Sequence, residues 1–182
     1  MDSHEDHEII SRCLAGDREA FEMIVQKYQP GVLALTWSVL KNRAEAEDAA
    51  QEAFFRAFLN LDKFDSSKNF KSWLYAIAFK RCLTFLDKAK TERKNRPKIA
   101  EATIRESPLP TGERRLEDLS ILAPLLGRLS AKESLALSLS VREGYAAAEI
   151  AEVLHCAEST ARVFVFNAKR KLRKLLKGEA HV

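Results

Sequence analysis

Apolar residues recur along this chain at the three- and four-residue intervals that line one face of an α-helix, and the pattern predicts two helical blocks, about 3–91 and 116–177. In the first block, Asp17 follows Gly16 as an N-cap, and Phe21, Ile24, Val25 and Tyr28 form the first stripe. Pro30 reads as a break. A second series, Val32, Leu33, Thr36, Val39 and Leu40, closes at Asn42, and Ala46, Ala50, Ala53, Phe54, Ala57 and Leu61 stripe a third helix. The small alanines of that stripe permit close helix packing. Its other face carries Glu47, Asp48, Gln51, Glu52, Arg56 and Asn60. On physics alone this face is either solvated, its carboxylates favoured by the positive helix N-terminus, or a docking surface.

The next segment surrounds a short polar loop, Asp65-Ser66-Ser67-Lys68-Asn69, with aromatic residues. Phe70, Leu74, Ile77, Ala78 and Phe85 share one helical face, and Tyr75, Phe79, Cys82 and Leu86 another nearly opposite, so this helix is expected to be packed on two sides. One free sector remains, with Ser72, Ala76 and Lys80, and with Trp73 at its edge. A cation, small groups and a ring beneath a polar loop suit single-stranded DNA, whose bases stack on aromatics while phosphates meet the cation. Trp73 as plain core is the competing reading.

The second block opens on Leu116, Leu119, Leu122 and Leu126, and Ser130-Ala131-Lys132-Glu133 then matches the S-x-x-E capping box. That helix is expected to reach Arg142 and stop at Gly144. A short helix over 146–154, a tight break at His155-Cys156-Ala157 and a long helix from Glu158 to about Leu176 make a helix-turn-helix. Ala161, Val165, Ala168, Leu172 and Leu175 face inward. Between Ser159 and Lys177 no residue is acidic, whereas Arg162, Lys169, Arg170, Lys171, Arg173, Lys174 and Lys177 are basic. One-signed charge after a tight turn points to DNA rather than to a merely solvated face.

Between the blocks, residues 92–113 hold Pro97, Pro108, Pro110 and Gly112 among many charges, which reads as a linker too polar to fold alone. Across 182 residues, 46% hydrophobic content supports a real core, and few Gly or Pro with abundant Leu, Ala, Lys, Glu and Arg favour an all-α fold. A net charge of +4 only hints at a polyanionic partner. Cys13, Cys82 and Cys156 show no CxxC spacing, which suggests neither a disulfide framework nor a zinc site and fits a reducing cytoplasm. The polar start MDSHEDHE is read as a frayed, solvated terminus in which His4 and His7 have no role, and it has no secretory character. No apolar run approaches the roughly 20 residues of a membrane span. No Gly-rich phosphate loop, metal-ligand cluster or nucleophile–base pairing is visible, so neither an enzyme nor a bound cofactor or metal is expected.

Taken in order, Gly16-Asp17-Arg18-Glu19-Ala20-Phe21, the run from Ala44 to Phe54, the run from Phe70 to Ala78, Glu143-Gly144-Tyr145, Glu149 to Leu154, Ser159-Thr160-Ala161-Arg162 and Ala168 to Leu172 resemble the extracytoplasmic-function (ECF) group of RNA polymerase sigma factors of the sigma-70 family. The resemblance covers nearly the whole chain. It implies two small helical domains: a region 2 unit over 1–91 for core binding and promoter melting, and a region 4 helix-turn-helix unit over 116–182. A flexible linker over 92–115, entering the polymerase channel, would join them.

It also implies roles for residues. Glu47, Asp48, Gln51, Glu52, Phe55 and Arg56 would bind the coiled coil of the β′ subunit, with the β flap as a further contact. Lys63, Phe64, Asp65, Ser66, Ser67, Lys68, Asn69, Ser72, Trp73, Ala76 and Lys80 would capture and melt the minus-ten element around a flipped base. Glu158, Ser159, Thr160, Arg162, Val163, Phe166, Lys169, Arg170 and Arg173 would meet the minus-thirty-five element, the early residues at base edges and the later ones at phosphates. An anti-sigma factor is implied as a regulator, and the cytoplasm as the location. The chain departs from the usual pattern at Val163, Phe164, Phe166 and Asn167, where polar or basic residues are common, at Ala146 and Ala157, which replace Ser caps, and at Lys80, which replaces an asparagine. A helix-turn-helix repressor or activator would explain the second block, but not the Asp48–Glu52 surface together with the Trp73 segment.

Overall fold

The computed structural model describes residues 2–95 and 128–176. The first unit holds helices α1 (Asp2–Leu14), α2 (Phe21–Leu40), α3 (Arg43–Leu59) and α4 (Phe70–Asn95), with single 3-10 turns at Arg18–Ala20 and Leu61–Lys63. The second holds α5 (Ala131–Arg142), α6 (Ala147–Leu154) and α7 (Glu158–Leu176). The linker beyond residue 95, the Leu116–Leu126 stripe and Lys177 lie outside the described residues.

Local chemistry sets the helix ends. The Asp17 carboxylate accepts from the Ala20 amide at 3.1 Å, and the Asn42 side chain accepts from the Glu45 amide at 3.2 Å, so each caps the element after it. Ser130 and Glu133 form a reciprocal capping box, at 3.3 and 2.9 Å. At Ala146 a hydroxyl is missing, and half of that box survives as the Glu149 carboxylate accepting from the Ala146 amide at 2.7 Å. The tight turn before α7 rests on His155, which takes the left-handed conformation usually given to glycine, with φ of 48°.

Pro30 does not break the chain: α2 runs through it from Phe21 to Leu40. Pro30 and Gln26, whose carbonyl loses its helical partner, are both exposed, so the position is open to solvent rather than buried in the core. One residue on, Gly31 brings α2 so close to α4 that any Cβ there would overlap the Tyr75 hydroxyl. The alanines of α3 (Ala46, Ala49, Ala50, Ala53, Ala57) are buried between α2 and α4, and these three helices pack mutually.

The amino terminus is also not frayed from Asp2 on. Ile9 and Ile10 of α1 are buried in the core, and the buried Asp6 carboxylate accepts from the Tyr28 hydroxyl at 2.6 Å and pairs with Lys27 at 2.8 Å.

The two units do not stand apart. α5 packs on α2, α6 packs on α4, and one continuous apolar cluster runs from Ile9 through Tyr75 to Ala161. Polar contacts fix this closure. Lys71 of α4 pairs with Glu143 at 2.5 Å, and its ammonium lies 5.6 Å from the ring centroids of both Tyr75 and Tyr145. The Ser134 hydroxyl of α5 donates to the Ser38 carbonyl at 2.6 Å and accepts from Lys41 at 2.9 Å. Lys41 ends α2 in the left-handed conformation, and burial pushes its ammonium down to about 8.

Candidate nucleic-acid interface

Three surfaces carry the residues singled out in the sequence. The first is the outer face of α3. Glu47, Asp48, Gln51, Phe55 and Arg56 are exposed there, Phe55 to 61%. Glu52 is half-buried and works as a hinge of charge: it accepts from Arg56 at 2.9 Å and from Arg81 of α4 at 3.2 Å. Burial opposes its ionisation, but the two arginines more than offset this and hold its carboxyl below the usual range. Beside this face runs a groove of about 740 Å³, walled by Val25, Gln29 and Leu33 of α2 and floored by Phe54 and Phe58. Its apolar walls next to exposed carboxylates suit a helix that is apolar on one side and basic on the other. The α2 wall was not among the expected residues, because Val25 and Leu33 count with the apolar stripes in the sequence and are only half-buried in the fold.

The second surface is the loop and the start of α4. Ser66, Ser67, Lys68 and Asn69 are exposed, and Asp65 braces the loop by accepting from the Ser67 hydroxyl at 2.7 Å and the Ser67 amide at 3.0 Å. Those hydrogen bonds keep the Asp65 carboxyl ionised below its ordinary range. Lys63, also exposed, donates to the Asn60 side chain at 3.0 Å, and the Asn69 side chain caps α4 at the Ser72 amide, 3.0 Å away. Under the loop, Phe64, Phe70 and Trp73 form a triangle with centroids 5.2, 5.2 and 5.5 Å apart. Trp73 is half-buried, so it belongs to core and surface at once. The loop has a support that its own sequence does not show. His7 of α1 bonds the Ser66 carbonyl at 2.8 Å and stacks on Phe64 at 6.4 Å, which makes its ring nitrogen the donor. The signal available was the apolar pair Ile9-Ile10, which anchors α1.

One expected member of this surface is covered. Ser72, placed outward by helical spacing, is only 6% exposed. The Tyr145 side chain lies against it, with its hydroxyl buried and without a well-formed hydrogen bond. Ala76 is half-buried and Lys80 is exposed, so the free sector survives only below the first turn of α4.

The third surface is α7. Glu158, Ser159, Arg162, Val163, Phe166, Lys169, Arg170 and Arg173 are exposed on one side, while Thr160 is half-buried. Arg162 pairs with Glu158 at 2.5 Å. Lys171, counted with the basic residues in the sequence, turns inward instead: it bonds the buried Glu133 at 2.7 Å and ties α7 to α5. Phe164 also turns inward, half-buried under the Lys132 ammonium 5.9 Å from its ring. Cys82 is buried and its thiol is pushed up to about 12, so it is an inert core group. No helix among the described residues is long and apolar enough to cross a membrane.

Comparison with known proteins fits these surfaces. Residues 24–92 match the model of sigma-70 region 2, and residues 114–172 that of sigma-70 region 4. The chain is 30% identical to the RNA polymerase sigma-H factor of Pseudomonas aeruginosa, over 97% of this chain and 96% of that one. It is 29% identical to the ECF RNA polymerase sigma factor SigW of Bacillus subtilis, over 92% and 95% of the two chains. Among solved structures, the sigma factor RpoE from Bartonella quintana, in complex with the anti-sigma factor NepR, matches with a TM-score of 0.73 and 25% identity, covering 86% of this chain and 96% of that one. CnrH, in complex with the cytosolic domain of CnrY, shares the fold at a TM-score of 0.71 over 96% and 99% of the two chains, at 22% identity. An acidic groove, an aromatic loop and a basic helix-turn-helix in that order, with both regions matched along nearly the full length of its relatives, mean that this chain belongs to the extracytoplasmic-function group of the sigma-70 family of RNA polymerase sigma factors.

Proposed function

We propose that the chain directs transcription initiation through a division of labour among its three surfaces. The α3 face, with Asp48, Gln51, Glu52, Phe55 and the groove beside them, holds a coiled coil of the polymerase. The Phe64–Asn69 loop, with Trp73, Ala76 and Lys80, captures and opens the minus-ten element. The outer side of α7 reads the minus-thirty-five element. The units divide as 1–91 and 116–182 about a linker over 92–115. The chain works in the cytoplasm, contributes no bond-making chemistry of its own, and is restrained by an anti-sigma factor, a reading supported by its likeness to RpoE in complex with the anti-sigma factor NepR.

The observation that carries this reading is the exposed loop roofed over three packed rings, on the same chain as a helix whose outer face is basic. The closed arrangement adds a condition. The two elements lie roughly 25 base pairs apart, about 85 Å at 3.4 Å per step, whereas a compact chain of this length is only about 40 Å across. Both elements are therefore read only after the Lys71–Glu143 contact parts, and parting also uncovers Ser72. The test is to add the protein to core polymerase and genomic DNA and to sequence the transcript starts. Starts that need the protein and share two upstream elements are expected. Their absence, with the protein bound to DNA all the same, would point to a repressor or activator instead.

A further inference from the structure

The loop over 65–69 is anchored at both ends but hardly at its tip. Before it, Phe64 packs on Phe70 and Trp73, and at its far end the Asn69 side chain caps α4 at the Ser72 amide. Between these anchors the loop bonds to itself: the Lys68 amide donates to the Asp65 carbonyl at 2.9 Å, and the Asp65 carboxylate takes the Ser67 amide and hydroxyl. Such bonds shape the loop without fixing its place over the helices. Among the described residues, the contact of His7 Nε2 with the Ser66 carbonyl, at 2.8 Å, is the sole hydrogen bond that reaches residues 65–68 from another element. A carbonyl only accepts, so Nε2 carries a proton in any state of the ring that keeps this bond. The same ring stacks on Phe64, 26° from parallel, so His7 touches both the tip of the loop and its base. Its own position is firm. The preceding Asp6 is buried against Tyr28 and Lys27, and Ile9 and Ile10 lie in the core, so α1 carries the imidazole as a fixed support for a functional loop.

We infer that His7 is a positioning residue for promoter opening: it holds the loop tip and Phe64 in the arrangement that receives the unstacked base, which makes α1 part of the opening machinery. The assignment rests on the promoter-opening proposal above. A loop released at its tip has to be ordered at the moment of capture, and that ordering adds to the cost of unstacking the base. A closed complex captures no base. Binding to the intact duplex is therefore indifferent to His7, whereas opening depends on it.

Three variants separate the ring from the bond. His7→Ala removes both, His7→Phe keeps a ring against Phe64 but has no donor, and His7→Gln gives up the ring but carries an amide nitrogen near the place of Nε2. Each full chain is assembled with core polymerase on a promoter recovered by mapping transcript starts. Opening is read by permanganate reactivity of unpaired thymines, and closed-complex affinity is measured beside it. His7→Ala and His7→Phe should lower opening about two- to tenfold, the net worth of one hydrogen bond. His7→Gln should recover most of that loss, and closed-complex affinity should be the same in all four proteins. In the free proteins, amide hydrogen exchange at residues 66–68 should quicken in His7→Ala and His7→Phe and stay near the wild-type rate in His7→Gln. If opening or exchange is unchanged in His7→Ala, or if both respond equally in all three variants, positioning through this bond is wrong and His7 is a packing group of α1. If Trp73→Ala also leaves opening at the wild-type level, it is the promoter-opening proposal beneath that fails, and the exchange rates alone decide whether His7 holds the loop.

Discussion

Replacing Glu143 with Gln isolates the polar part of domain closure. Gln keeps the size of Glu and can still accept from Lys71, but it removes the charge that faces the ammonium at 2.5 Å. The two side chains are 18% and 31% exposed, midway between a surface pair and a buried one. Exposed pairs contribute about 0–1 kcal/mol and broken buried pairs cost about 3–5, so about 1–2 kcal/mol is expected here. That is a 5- to 30-fold shift toward the open state, at roughly 1.4 kcal/mol per factor of ten. The shift can be read as a distance distribution between spin labels at Lys88 on α4 and Lys169 on α7, both exposed. Cys13 and Cys156 would be changed to Ser; Cys82 is buried with its thiol pushed up to about 12, so it labels slowly. The wild type should give one short distance, Glu143→Gln a growing population of longer ones, and the exchanged pair Lys71→Glu with Glu143→Lys a partial return. An identical single distance in all of them would refute the reasoning and assign closure to apolar packing alone.

Closure should also respond to pH through Lys41, which opening returns from about 8 to its ordinary value near 10.5. The open state then binds more protons between pH 8 and 10, so the closed fraction should rise across that window, by up to about 3 kcal/mol in closing free energy. Burial raises Tyr75 and Tyr145, which opposes the trend only above that window. Lys41→Met should flatten the rise, and a rise that persists in this variant would rule Lys41 out. Replacing Asp48 and Gln51 together with Ala should weaken core-polymerase binding about tenfold at unchanged helix content, measured by titration with labelled core; equal affinity would remove the docking assignment. Trp73→Ala should reduce promoter opening, read by permanganate reactivity of unpaired thymines, more than closed-complex binding. It should also destabilise the fold by about 1–3 kcal/mol, because the ring packs on Phe64 and Phe70.

What the sequence made legible was what short-range chemistry decides. Ser130 and Glu133 fixed the start of α5, Gly144 its end and the 155–157 break the start of α7, because each acts on amides within a few residues. Pro30 misled because it and Gln26 lie on the exposed side of α2, where the lost bond falls outside the core, and exposure is a tertiary property. Ser72 and Lys171 misled for the same reason at longer range. Their partners, Tyr145 and Glu133, lie 73 and 38 residues away, and no periodicity links them. The docking of α1 was hidden by its acidic sequence, since Asp6 is buried by Tyr28 and Lys27 rather than by any apolarity of its own.

The contact between Gly31 and Tyr75 gives the first unit a mechanical character. Tyr75 rests its hydroxyl end against the α2 backbone and turns its ring toward Tyr145, with centroids 6.4 Å apart. It is a rigid strut with one foot in each unit, and glycine at 31 sets its seat. A displacement of α2 against α4 thus has a route to the second unit through this ring, beside the direct contact of α2 with α5 at Ser38, Lys41 and Ser134. The groove on α2 and α3 lies on the same helix as that seat, so a partner that tilts α2 as it docks lifts the strut, and by reciprocity a closed second unit resists that docking.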